Sequence, residues 1–138
     1  MPAVAHAQQS FSWKTTSAYG KAAPFYMHWP GSATDLARRI EAMSGGRLKI
    51  QVFGAGELIP ALEGFDAVRA GMVEMNPANS YFWTGKTFAA PYFCAVPFGL
   101  NFQVINGWLY DGGGQALWNE VHAPFGMWPC RAEIPACR

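Results

Sequence analysis

The chain has 138 residues, a length suited to one domain. Hydrophobic residues make up 51% and aromatic residues 15%, which permits a packed core, while only 14% are charged. Ten Lys and Arg against nine Asp and Glu give a net charge of +1, so there is no basic stripe to neutralise nucleic-acid phosphates. No apolar run is long enough for a transmembrane helix.

Taken in chain order, Ala5-His6-Ala7 has the small-x-small form accepted by signal peptidase, with Gln8 as the first mature residue. The basic and apolar regions that should precede such a site are not in the chain as written. Residues 1–10 are therefore expected to be a signal-peptide remnant and mature N-terminus, without a complete signal peptide. Phe11 to Ser17 alternates and is aromatic and β-branched, as a strand should be. A loop with Tyr19-Gly20 and Pro24 follows. Ser32 and Asp35 form a variant capping box, and Leu36, Ile40 and Met43 then fall on one helical face until Gly45-Gly46. Arg47 to Phe53 reads as a second strand.

Gly54 to Glu57 is a tight loop. Pro60 opens a second helix with Leu62, Phe65 and Val68 on its apolar face and Gly71 at its end. Met72 to Met75 is a short strand. Strand, helix, strand, helix, strand predicts an α/β fold with a parallel sheet. Residues 76–97 are aromatic, carry Pro77, Pro91 and Pro97, and read mostly as loop. Two shorter helices close the pattern, one with Val104, Ile105, Trp108 and Leu109 and one with Leu117, Trp118 and Val121, separated by Gly112-Gly113-Gly114.

Ligands of open α/β sheets bind beyond the carboxyl ends of the strands, which singles out Ser17 to Gly20, Gly54 to Glu57 and Asn76 to Trp83. In the last segment Asn79 and Ser80 offer hydrogen bonds, and Tyr81, Phe82 and Trp83 offer flat walls. Any one of these rings could equally cap the core. Enzyme signals are weak. Gly54-Ala55-Gly56 has no third glycine at the offset a dinucleotide loop needs, and no GxSxG occurs. Cys94 and His122 could form a thiol–imidazole pair, but Cys94 lies among Phe93, Ala95 and Val96, the setting of an inert buried thiol. No CxxC occurs, and His6, His28 and His122 are scattered, so no catalytic residue and no metal site is expected. Cys130 and Cys137 either pair in an oxidising compartment or remain thiols with Cys94.

Several longer stretches together resemble the solute-binding proteins of TRAP transporters, in the branch that binds 2-oxo acids and related small carboxylates. They are Leu36 to Ile50, Gly54-Ala55-Gly56-Glu57-Leu58 with Pro60, Gly64 to Val68, Gly71 to Met75, Ser80 to Lys86, Ala95 to Leu100, and Gly112 to Gln115 with Leu117-Trp118. The resemblance runs from about Phe11 to Met127. It implies the first lobe of a two-lobed periplasmic binding protein, with a parallel-rich sheet flanked by helices, incomplete in this chain. It also implies capture of a small organic anion for TRAP membrane permease subunits, with no nucleic-acid partner. Members grip the carboxylate with an arginine of the second lobe, some with a metal ion, and no cofactor is expected on this lobe. Tyr19, Tyr81 and Trp83 are the implied substrate-binding wall residues. Asn76-Pro77-Ala78-Asn79 and His28-Trp29-Pro30 depart from the family pattern.

The domain division expected is 1–10, then 11–127 as the N-terminal lobe, then 128–138 as an aberrant tail. Started one base earlier, the tail's codons permit the Leu-Pro-Gly-Gly-Asn-Thr-Gly-Val-Gln series usual in the family. The tail is therefore expected to be out of frame, with no evolved role for Cys130, Arg131 or Cys137. The alternative reading is a stand-alone lobe that associates with itself through exposed aromatic surface and has no transport role.

Overall fold

The computed structural model describes residues 9–23, 26, 30–94 and 96–130. Strands β1 (Phe11–Thr16) and β2 (Leu48–Phe53) pair in parallel, with Phe11 opposite Leu48 and Thr16 opposite Phe53. The crossover between them carries α1 (Ala33–Met43), which packs on β2. Ser32 caps α1 as the sequence predicts, its hydroxyl accepting from the Asp35 N–H at 3.3 Å. The Gly31 N–H and Arg38 hold the Asp35 carboxyl down at about 2, so it is ionised throughout the working range of the protein. Gly45 and Gly46 both take positive φ and end the helix. The expected face of Leu36, Ile40 and Met43 is only partly covered, Met43 being 79% exposed, and the buried residue of the helix is Ala37 beside it.

Two expected elements are shorter than the sequence suggests. The helix placed from Pro60 starts only at Gly64, as α2 (Gly64–Arg69), and Leu62 is left exposed. Its entry is fixed by close packing, since a Cβ on Gly64 would run into the Asn76 side chain. The strand placed at Met72 to Met75 is reduced to one parallel bridge between Thr15 and Met75. There the Glu74 carboxylate, rather than a strand carbonyl, accepts from the Lys14 N–H at 2.6 Å, and Pro77 has no N–H with which to continue a ladder.

Residues 76–97 contain two short 3-10 helices, Ser80–Trp83 and Ala90–Phe93. The chain closes with α3 (Phe102–Tyr110), α4 (Gly114–His122) and a 3-10 turn at Ala123–Phe125. Asn101 caps α3 by accepting from the Val104 N–H at 2.9 Å. Gly112 and Gly114 serve close approach, a Cβ on Gly114 sitting 2.8 Å from the Trp108 ring, while Gly113 between them takes a positive φ of 82°.

The core lies between these later helices. Phe93, Ile105, Leu109 and Trp118 are buried together, with Ala89, Trp108 and Val121 packed against them. Phe93 is stacked between two indoles, Trp108 at 5.7 Å and Trp118 at 5.6 Å. Rings then lead from Trp118 through buried His122 to Phe65, and from Phe65 to Trp83 at 5.6 Å. Near the end of the described chain Pro129 is buried and its carbonyl accepts from Gln115 at 2.8 Å. The expected signal remnant at residues 1–8, the departures at His28 and Trp29, and the tail from Arg131 with Cys137 lie outside the described residues.

Burial lowers the pKa of His122, against the opposing pull of the Trp118 carbonyl at 3.1 Å from Nδ1. The folded chain therefore holds this proton less tightly than the unfolded one. Stability is expected to be full above the ordinary histidine value of about 6.5 and to fall as the pH drops below it. Urea midpoints at pH 7.5 and 5.5 should differ in the parent, and His122→Phe should shrink the difference.

Candidate functional site

The loops after β1, after β2 and after the Met75 bridge meet at one end of the sheet. Backbone bonds lock them together: the Ser17 N–H donates to the Phe53 carbonyl at 3.0 Å, and the Ala55 N–H donates to the Tyr19 carbonyl at 3.0 Å. The Ser17 hydroxyl also accepts from the Tyr19 N–H at 3.1 Å, which fixes where the Tyr19 ring leaves the chain. Lys21 and Glu57 pair across the two loops at 2.7 Å, and Glu57 accepts from the Gly54 N–H at 2.9 Å.

Asn79 is the centre of the site. Its Nδ2 donates to the Tyr19 hydroxyl at 2.6 Å and to the Tyr81 hydroxyl at 3.0 Å. The Cys94 thiol lies 3.6 Å from the Asn79 Oδ1. Phe82 backs both phenols, 6.0 Å from the Tyr19 ring and 4.7 Å from the Tyr81 ring. Burial, then the adjoining Tyr81 phenol, raises the Tyr19 pKa well beyond the ordinary phenol value, so the ring stays neutral.

Of the three residues singled out by sequence, Tyr19 and Tyr81 are brought together and Trp83 is not. The 3-10 geometry explains the sorting. With three residues per turn, positions i and i+3 share a face. Ser80 and Trp83 are both buried, and Tyr81 between them is 40% exposed. Trp83 lies against Phe65 and donates its indole N–H to the Leu62 carbonyl at 3.4 Å. Cys94 and His122 are not brought together as a catalytic pair, since Cys94 faces Asn79 while His122 faces Trp118 and Phe65. Sequence reading missed the Lys21–Glu57 pair, which carries no spacing signal, and the part played by Cys94. Among the described residues no group of three or more His, Cys, Asp or Glu could hold a metal ion.

The structure is a parallel sheet with a crossover helix and with polar and aromatic side chains gathered beyond its strand ends, the architecture of one lobe of the two-lobed solute-binding proteins it is similar to. Residues 20–127 match the DctP family, bacterial extracellular solute-binding protein family 7, and the chain belongs to that family. It is 40% identical over 115 residues to a monocarboxylate 2-oxoacid-binding periplasmic protein of Nostoc sp. PCC 7120, covering 83% of this chain and 30% of that protein.

Among solved structures it is similar to a TRAP transporter solute-binding protein of Bordetella bronchiseptica with calcium and picolinate in its active site. The TM-score is 0.81 at 29% identity, over 87% of this chain and 35% of that one. It is equally similar to a TRAP periplasmic solute-binding protein of Pseudoalteromonas atlantica with bound sodium and pyruvate, at TM-score 0.81 and 31% identity, over 87% of this chain and 36% of that one. The chain spans about a third of the length of these relatives. Among the described residues no helix is long and apolar enough to cross a membrane.

Proposed function

We propose that this chain supplies the first-lobe half of a ligand trap for a small 2-oxo acid-like carboxylate, serving a TRAP-type permease in the periplasm. The observation that carries this reading is the Tyr19–Asn79–Tyr81 cluster at the strand ends. Membership of the family and the pyruvate-bound relative support it. Residues 11–127 form the lobe and residues 128–138 are an out-of-frame tail, of which Pro129 is held against the lobe by Gln115. In such a trap the closed state is favoured because the ligand touches both lobes.

Among the described residues the Tyr19–Asn79–Tyr81 cluster offers neutral hydrogen bonding and aromatic contact. A carboxylate is held best by a charge-assisted pair, yet Lys21, the cation on the loop after β1, is already committed to Glu57. The described residues do not gather a carboxylate cage for a cation. The grip on the carboxylate is therefore assigned to a second lobe. Calorimetry of the 138-residue chain with pyruvate should give dissociation constants no tighter than millimolar. Micromolar binding by this chain alone would overturn the two-lobe reading.

Phe88, Phe98, Tyr110 and Trp128 are exposed, Phe98 completely, which favours a second reading in which the lobe associates with itself. Size-exclusion chromatography separates a defined dimer from a monomer.

A further inference from the structure

We infer that Glu57 is a positioning residue of the site: its carboxylate clasps the loop after β2 to the loop after β1 and so fixes where Tyr19 stands against Asn79. The inference rests on the reading of the Tyr19–Asn79–Tyr81 cluster as the ligand site. Glu57 gives its two carboxylate oxygens to two different loops. Oε2 accepts from the Gly54 N–H at 2.9 Å, inside its own turn, and Oε1 meets the Lys21 ammonium at 2.7 Å on the other loop. The Glu57 N–H closes the same turn by donating to the Gly54 carbonyl at 3.1 Å. The carboxylate is thus held from its own side before Lys21 reaches it.

These ties bracket Tyr19. Before it the Ser17 N–H is held by the Phe53 carbonyl, at Tyr19 the carbonyl accepts from Ala55, and beyond it Lys21 is held by Glu57. The loops come closest at the last point, where a Cβ on Gly54 would lie 3.2 Å from the Lys21 Cγ and 3.3 Å from its backbone nitrogen. Across the site the Tyr19 hydroxyl lies 2.6 Å from the Asn79 amide nitrogen. A contact that short weakens with any small displacement of the loop carrying the ring. Tyr26 also ties the crossover to β2, through the Val52 carbonyl at 2.9 Å, but farther along the chain from Tyr19. Lys21 and the Gly54 N–H hold the Glu57 carboxyl below the usual carboxylate range, so the pair is ionised near neutral pH. Exposed pairs add little to global stability, so the effect of this one is read in local placement.

The test uses the 138-residue chain with ring-labelled tyrosine, read by NMR without ligand and then titrated with pyruvate. Lys21→Met keeps the stem that packs on Gly54 and removes the charge. Glu57→Gln keeps an acceptor for the Gly54 N–H and removes the ion pair. Both should move the Tyr19 ring signal, leave those of Tyr92 and Tyr110 in place, and weaken the pyruvate response of Tyr19 by about threefold, within what one exposed ion pair supplies. Lys21→Arg rebuilds the pair and should restore both readings, and urea midpoints should stay near that of the parent. Salt gives a reading that packing alone would not. In the parent, about 1 M KCl cuts the screening length to about 3 Å and should carry the Tyr19 signal toward its Lys21→Met position, whereas the Lys21→Met signal should not follow. A Tyr19 signal that neither substitution nor salt moves overturns the role of Glu57 and leaves the site reading standing. So does a shift with the pyruvate response unchanged, or a shift of all the tyrosine signals together. Tyr19 and Tyr81 signals that ignore pyruvate in the parent overturn both.

Discussion

Replacing Phe93 with alanine is expected to lower folding stability by about 3–5 kcal/mol, as for other large buried aromatics. A small domain has roughly 5–15 kcal/mol in total, so the variant should be close to unfolding at room temperature. The reason is the position of the ring, stacked between Trp108 and Trp118 with interplanar angles of 14° and 9°. Removing it opens a cavity that two rigid indoles cannot close, and it also cuts the contact between residues 90–93 and the last two helices. Phe88 is the control, lying five residues earlier and 79% exposed. Phe88→Ala should change stability by no more than about 0.5 kcal/mol. Urea unfolding followed by near-ultraviolet circular dichroism will separate the two, and equal midpoints would show that the triple stack is not the core.

That pair of phenylalanines marks where the sequence stops being informative. β1, α1 and β2 were legible because period-2 alternation, the Ser32 cap and the Gly45-Gly46 stop all agree with one another. The final helices were legible for a similar reason, since Ile105 and Leu109 fall one helical turn apart and are buried with Trp118 of the next helix. Residues 76–97 gave no such agreement, because neither a period of 2 nor one of 3.6 fits them. The operative period is three: Ser80 with Trp83, and Ala90 with Phe93, are the buried pairs of two 3-10 helices. Four residues are too short a window for that period to stand out among aromatic neighbours.

The shortened elements have a different cause. Phe65 and Val68 do lie on α2, but Leu62 belongs to the preceding turn, and the length of the helix is set by the approach of Asn76 to Gly64. That is a contact between residues twelve apart, which no local pattern encodes. The third strand fails likewise through a side chain, as Glu74 takes the Lys14 N–H that a longer ladder would have used. At the site the residue types were visible from the start, Asn79 among them. Its bridging of Tyr19 and Tyr81 was not, because sixty residues separate Asn79 from Tyr19 and only the parallel crossover brings them together.

Trp83→Ala is expected to be as damaging as the loss of Phe93, again about 3–5 kcal/mol. The indole is 8% exposed, lies against Phe65, and is edge-on to Phe82 at 6.1 Å. Phe65 in turn touches Phe125 at 5.1 Å and His122, so the loss would spread from the site toward α4. Trp83→Phe keeps an aromatic ring but gives up part of the buried ring volume and the N–H donated to the Leu62 carbonyl, a change worth about 1–3 kcal/mol. The milder variant carries the functional question. If Trp83 supports the site from behind, through Phe82, then Trp83→Phe should lower the urea midpoint less than Trp83→Ala does and leave the pyruvate response of the Tyr81 ring intact. If that response vanishes while the midpoint stays put, Trp83 is itself a wall of the ligand site, and the closed conformation must expose a ring that is buried here.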